Sequence, residues 1–296
     1  MTGAGAGRAA SLVRRLAGQV DPLRLHAALA ADGHELPPLF IQRTGGPALI
    51  VEAAAIRAIC RQQDVVLDAL SEGGRAALAT LADQLADHVV DRTDDRVALR
   101  FKRCTAPEEY DRAHATTPFD ILRALAFGHG SIDRDEPFAV VAAGVIGFDS
   151  VDLFEELPAR AEGDFPDYVF WLAESVIIVE PSGAARLICT AFGSDDTAIA
   201  HRVASLAQER LARLSSRCEF AREVGPPVVS TANTAEQHVT TDLDDVVYAA
   251  IVSDLKEKVA AGDIFQVVPS RAFRTPCADP RAAFVRLGAA DPSRYL

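Results

Sequence analysis

The chain has 296 residues, 49% of them hydrophobic and 24% charged, a composition that supports a sizeable core in one large or two ordinary domains. A formal net charge of −12 without any Lys/Arg cluster argues against a nucleic-acid surface and favours action on small molecules. Cys60, Cys104, Cys189, Cys218 and Cys277 are odd in number and irregularly spaced, without a C-x-x-C pair. Neither a disulfide framework nor a zinc site is expected from them, and a reducing cytoplasm is the simplest setting. No window reaches the roughly eighteen apolar residues of a membrane span, and Arg14 and Arg15 interrupt the opening stretch where a secretion signal would need a continuous apolar region.

Residues 1–22, rich in Gly and Ala, read as a flexible extension. From Pro47 the run ALIVEAAAI predicts a first strand and Gln63–Leu70 a second, with Gly73 and Gly74 as the next turn. Leu78, Leu81, Leu85 and Val89 recur at helical spacing between Arg75 and Val90. Val97–Phe101 alternates as a strand, and Pro118–Phe127 reads as a helix behind the cap candidate Thr117. Ala139–Phe148, Tyr168–Val179 and Ala185–Phe192 are β-rich, the last two joined by a turn at Glu180–Gly183, which predicts antiparallel sheet. A helical pattern spans Asp196–Leu214. Residues 222–241, with Pro, Thr and Asn and no apolar period, read as a linker between a domain at 23–221 and a second at 242–296. Thr241 and Asp244 resemble a capping box for a helix whose Leu243, Val247, Ile251, Leu255 and Val259 fall four apart, with Gly262 just past its end. The expected class is α/β in the α+β sense: antiparallel sheets packed with helices.

The stretch KEKVAAGDIFQVVPSRAF, Lys256 to Phe273, places one polar residue in an apolar run. If Ile264–Ser270 is a buried strand, Gln266 shares a face with Ile264, Val268 and Ser270, and its amide needs hydrogen-bond partners there. Satisfaction by neighbouring backbone is the plain structural reading.

This stretch also carries a family likeness. Gly262 to Ser270, GDIFQVVPS, resembles the strand that enters the chorismate-binding domain of anthranilate synthase component I and related chorismate-using enzymes. Gly144–Pro158 (GVIGFDSVDLFEELP) and Phe165–Glu180 (FPDYVFWLAESVIIVE) resemble strand motifs of that family's amino-terminal region. The resemblance covers roughly residues 23–296. It implies conversion of chorismate to anthranilate and pyruvate in tryptophan biosynthesis, with Mg2+ and with ammonia from a glutamine amidotransferase partner subunit. The catalytic histidine and magnesium-binding glutamates that it implies fall beyond Leu296, so no catalytic or metal residue is expected in these residues. The chain reads as a truncated segment, inactive alone. Relatives that add water to chorismate carry a lysine where Gln266 stands. An amide cannot act as a base near pH 7, so Gln266 is expected to position substrate for ammonia, which is already a nucleophile.

Glu52 follows Leu49, Ile50 and Val51, and a carboxylate at a strand end is ordinarily solvated. The resemblance aligns Glu52 and Ala53 with a segment that binds the ammonium group of tryptophan, the feedback inhibitor. It aligns Asp291, Pro292, Ser293, Arg294, Tyr295 and Leu296 with that site's second segment. Ala53 replaces a serine, Asp291 an asparagine and Leu296 a methionine, so weak inhibition is expected, one lost hydrogen bond being worth about 0.5–1.5 kcal/mol. Asp149, Asp152, Glu155 and Glu156 crowd together but read as a solvated acidic loop. Two other readings are an aminodeoxychorismate or amino-deoxyisochorismate synthase, which share the glutamine, and an amino-acid-binding or docking fragment without catalysis. The VVPSRAF tail favours the anthranilate reading.

Overall fold

A computed structural model describes residues 4–30, 39–106, 108–133, 135–154, 165–224, 238–291 and 293. The described residues fall into two compact units, one made of those up to 224 and the other of those from 238 to 293.

The first unit is built on one mixed sheet. Among the described residues, strands β1 (Arg8–Arg15), β2 (Leu39–Gln42), β3 (Ala48–Arg61), β4 (Asp64–Ala69), β5 (Val89–Arg92), β6 (Arg96–Arg100), β7 (Gly130–Ser131), β8 (Ala142–Ile146), β9 (Tyr168–Val179) and β10 (Ala185–Phe192) are accompanied by five α-helices. The helices are α1 (Pro22–Ala30), α2 (Glu72–Gln84), α3 (Glu109–His114), α4 (Asp120–Phe127) and α5 (Thr197–Val224). The sheet order is β5-β6-β4-β3-β9-β10-β1-β7, with β2 beside β3 and β8 beside β9. All pairings are antiparallel except β1 with β7. The expected class of antiparallel sheet packed with helices is what forms. One core gathers Ile56, Val65, Leu67, Leu78, Leu81, Ile121, Leu125 and Tyr168 under α2 and α4. Another gathers Leu25, Leu29, Ile50, Ile177, Leu187, Val203 and Leu214 under α1 and α5.

Several expectations need correction. Residues 1–22 are not a flexible extension over their described part: β1 pairs along β10 from Ala9 with Phe192 to Arg15 with Arg186. The physical reason is that β10 would otherwise leave a row of backbone groups unpaired, and small Ala9 and Ala10 bury against the core. Gly73 and Gly74 are not a turn but the first turn of α2, capped by the Ser71 hydroxyl, which accepts from Gly74 N. Glycine is required there because a Cβ on Gly74 would lie 2.0 Å from the Ala55 carbonyl oxygen. The helical stripe ends at Gln84, and Val89 opens β5 instead. Helix α5 runs on to Val224, ten residues past the expected end at Leu214 and into the expected linker, whose residues 225–237 lie outside the described residues.

The second unit holds β11 (Thr240–Thr241), α6 (Asp245–Ala261), β12 (Phe273–Arg274) and α7 (Pro280–Ala290). Asp244, not Thr241, caps α6, accepting from Val247 N at 2.8 Å, and Gly262 closes it at φ 84°. Ile264–Ser270 has no regular secondary structure, with a bend at Phe265, and is mostly exposed, so the buried strand expected there does not form. Instead Tyr248 Oη donates to the Pro269 carbonyl at 3.0 Å, and Arg271 stacks on Tyr248 and Phe273 while meeting Asp245.

Candidate functional site

Glu52 lies inside β3, not at a strand end. Along β3 and β9, Val51 faces Val176, Ala53 faces Ser175, Ala54 faces Ala173 and Ile56 faces Leu172. Glu52 and Ala55 on β3 and Glu174 on β9 are the residues left over by these shifts, as in β-bulges, which re-aim the side chain they carry. Both carboxylates are buried, with side-chain exposures of 4% and 3%. The solvated reading of Glu52 is therefore replaced by a buried one.

Helix α5 answers both. Arg210 and Arg217 are seven residues apart, two turns, and so share a helix face. Arg217 Nη1 donates to Glu52 Oε1 at 2.6 Å and Nη2 to the Leu29 carbonyl at 3.3 Å, while Ser175 Oγ donates to Glu52 Oε2 at 2.6 Å. Ser175 is the register partner of Ala53, so the hydroxyl that Ala53 lacks reaches the carboxylate from the neighbouring strand. Arg210 Nη1 lies 2.9 Å from Glu174 Oε1, an ion contact whose angles miss hydrogen-bond geometry. Glu174 Oε2 and Arg210 Nε have no hydrogen-bond partner among the described residues. Burial pushes the Cys189 and Cys218 thiols beside these pairs up to about 12, so both stay protonated and unreactive.

Sequence reasoning missed Glu174, Ser175, Arg210 and Arg217. The signal was present: Glu174-Ser175 breaks the apolar run of β9 as Glu52 breaks that of β3, and the arginines fall at helical spacing.

Gln266 belongs to the second unit and is exposed, between a fully exposed Phe265 and a half-exposed Val267. The backbone-satisfied buried amide is thus not what this structure holds. Asp291 caps the end of α7 and is exposed, as is Ser293; Pro292, Arg294, Tyr295 and Leu296 lie outside the described residues. Asp149 and Asp152 sit in a short 3-10 turn, Phe148–Leu153, while Glu155 and Glu156 lie outside the described residues. Among the described residues no group of three or more His, Cys, Asp or Glu is arranged to hold a metal ion. No described helix is long and apolar enough to cross a membrane. A cleft of about 570 Å3 opens between α1 and the β9–β10 turn, lined by Gln19, Arg24, Gln42 and Glu180 among others, and contains none of the expected site residues.

The family of chorismate binding enzymes matches residues 69–296. The chain belongs to that family. It is 32% identical over 253 residues to anthranilate synthase component 1 of Vibrio cholerae, covering 84% of this chain and 46% of that protein. It is 34% identical over 255 residues to the pyocyanine-specific anthranilate synthase component 1 of Pseudomonas aeruginosa, with the same coverage. Against anthranilate synthase component 1 of Escherichia coli the identity is 28% over 253 residues, 84% of this chain and 47% of that one. The chain thus spans about half the length of the curated relatives it matches. A crystal structure of anthranilate synthase component I from Streptococcus pneumoniae superposes with a TM-score of 0.49 at 16% identity, over 89% of this chain and 48% of that one.

Proposed function

We propose that these residues are the amino-terminal part of an anthranilate synthase component 1, a cytoplasmic lyase of tryptophan biosynthesis. The whole enzyme aminates chorismate with ammonia from a glutamine amidotransferase subunit and releases anthranilate, pyruvate and water. The single observation that supports the amination reading is Gln266 within GDIFQVVPS. An amide at that position cannot deprotonate water but can donate and accept hydrogen bonds while ammonia, already nucleophilic, attacks. Its exposure in this structure leaves it open to a substrate. Magnesium, which supplies charge neutralisation at the chorismate carboxylates in this reading, is held by residues outside this chain. The 296 residues alone are accordingly inactive. Tryptophan is a weak inhibitor in this reading because Glu52 already carries two buried donors.

A fusion tests this: the chain joined to the half of the Vibrio cholerae relative that its match leaves uncovered, assayed with chorismate, Mg2+ and ammonium. The expected product is fluorescent anthranilate, absent with the 296 residues alone. Gln266→Lys should divert turnover towards a hydroxylated product. Anthranilate from the 296 residues alone, or a hydroxylated product from the wild-type fusion, would contradict the proposal.

A further inference from the structure

We propose that Tyr248 is a positioning residue: it straps the GDIFQVVPS segment to α6 and thereby sets where the Gln266 amide stands. Its part in the reaction rests on the amination reading above; the strap itself does not. Asp245 and Tyr248 are three residues apart at the start of α6 and so share a helix face. That face meets the far end of the segment. Tyr248 Oη donates to the Pro269 carbonyl at 3.0 Å, and the Arg271 guanidinium lies 5.1 Å from the Tyr248 ring centroid and 4.7 Å from that of Phe273 while pairing with Asp245. Just beyond, Ala272 N donates to Asp242 Oδ1 at 2.9 Å, and Thr240–Thr241 pairs with Phe273–Arg274.

The near end is fixed by the same helix. Gly262 closes α6 at φ 84°, and Asp263 N donates back to the Lys258 carbonyl at 3.1 Å. Gln266 is four residues past Gly262 and three before Pro269, so a stretch without regular secondary structure is held at both ends by one helix, with the amide exposed between them. Holding both ends removes conformers that the amide would otherwise sample, and a hydrogen bond made during reaction depends on such placement. Helix α6 buries no residue, so core packing does not account for the tyrosine. Its hydroxyl and its ring both serve the segment.

The test joins amide NMR relaxation on the 296-residue chain to steady-state kinetics of the fusion. In wild type the Ile264–Val268 amides should have order parameters near those of α6, about 0.8. Tyr248→Phe, which keeps the ring but frees the carbonyl, should lower them, and Tyr248→Ala should take them below about 0.6, with α6 unchanged in both. In the fusion, Tyr248→Phe should lower kcat/KM for ammonium about two- to tenfold, the worth of one hydrogen bond. The same change should have almost no effect once Gln266 is replaced by Ala, because a residue that acts through the amide loses its influence when the amide is gone. Order parameters that ignore Tyr248, or an equal loss in the Gln266→Ala fusion, would overturn the proposal. If α6 itself loosens in Tyr248→Ala, Tyr248→Phe alone decides. A wild-type fusion that makes no anthranilate defeats the functional reading and leaves the order parameters to judge the strap, so the two failures are told apart.

Discussion

The two units of this chain carry apolar patterns of similar clarity and use them differently. In the first, Leu78 and Leu81 of α2 and Ile56 and Val65 of the sheet are at most 1% exposed. In the second, α6 has no buried residue: Val246 is 80% exposed, Val247 45% and Val259 43%, and Phe265 beyond it is fully exposed. An apolar stripe specifies a helix in both cases, but only a facing surface turns it into stability. The first unit therefore has buried apolar packing to stabilise it, whereas the described part of the second relies on caps, the β11–β12 pairing, hydrogen bonds such as Tyr248 to Pro269, two ion pairs and arginine stacking.

The largest effect that sharpens this contrast is expected at Arg217. Arg217→Ala should destabilise the first unit by about 3–5 kcal/mol, since it leaves Glu52 buried and unpaired. Arg271→Ala, which removes an ion pair to an 89% exposed Asp245 and the stacking on Tyr248 and Phe273, should cost about 2 kcal/mol or less. Trp171, the one tryptophan, lies in β9, so its fluorescence in a denaturant titration reports the first unit. Next, Leu81→Ala should cost roughly 2–5 kcal/mol by leaving a cavity, whereas Val259→Ala should stay within about 0.5 kcal/mol. Equal costs in the two units would break the comparison.

A pH effect of about 3 kcal/mol or less is expected from His129. It is 3% exposed, neither ring nitrogen has a partner among the described residues, and burial pushes its pKa down to about 4 from 6.5. Because the folded chain binds this proton less readily than the unfolded one, stability is complete above pH 6.5 and falls as pH drops towards 4. His129→Phe, which keeps a ring against Phe192, should flatten that part of the stability profile. The smallest contrast is between two glycines. Gly74→Ala should cost on the order of 3 kcal/mol because its Cβ meets the Ala55 carbonyl, and Gly262→Ala about 1 kcal/mol because only its positive φ opposes it, with nothing within 4 Å. Chemical denaturation of both variants measures this.

Legibility in the sequence followed the same division. Strands β3, β4, β6, β9 and β10 and the cap and stop of α6 could be read because alternation, turn residues and Gly262 are local signals. Strand β1 could not, since Ala9 and Ala10 become a strand only through pairing with β10. Ile264–Ser270 was read as a buried strand from its apolarity, but burial is a property of neighbours. Glu52 was singled out from the resemblance. Its partners Ser175 and Arg217 lie 123 and 165 residues away, a separation that no local pattern spans.

Amide hydrogen exchange on the intact 296-residue chain tests the central claim most directly. The account predicts that β3 and β9 amides exchange only through global opening, whereas those of α6 exchange at least about a thousandfold faster, through local opening. Protection of α6 equal to that of β3 and β9 would contradict it.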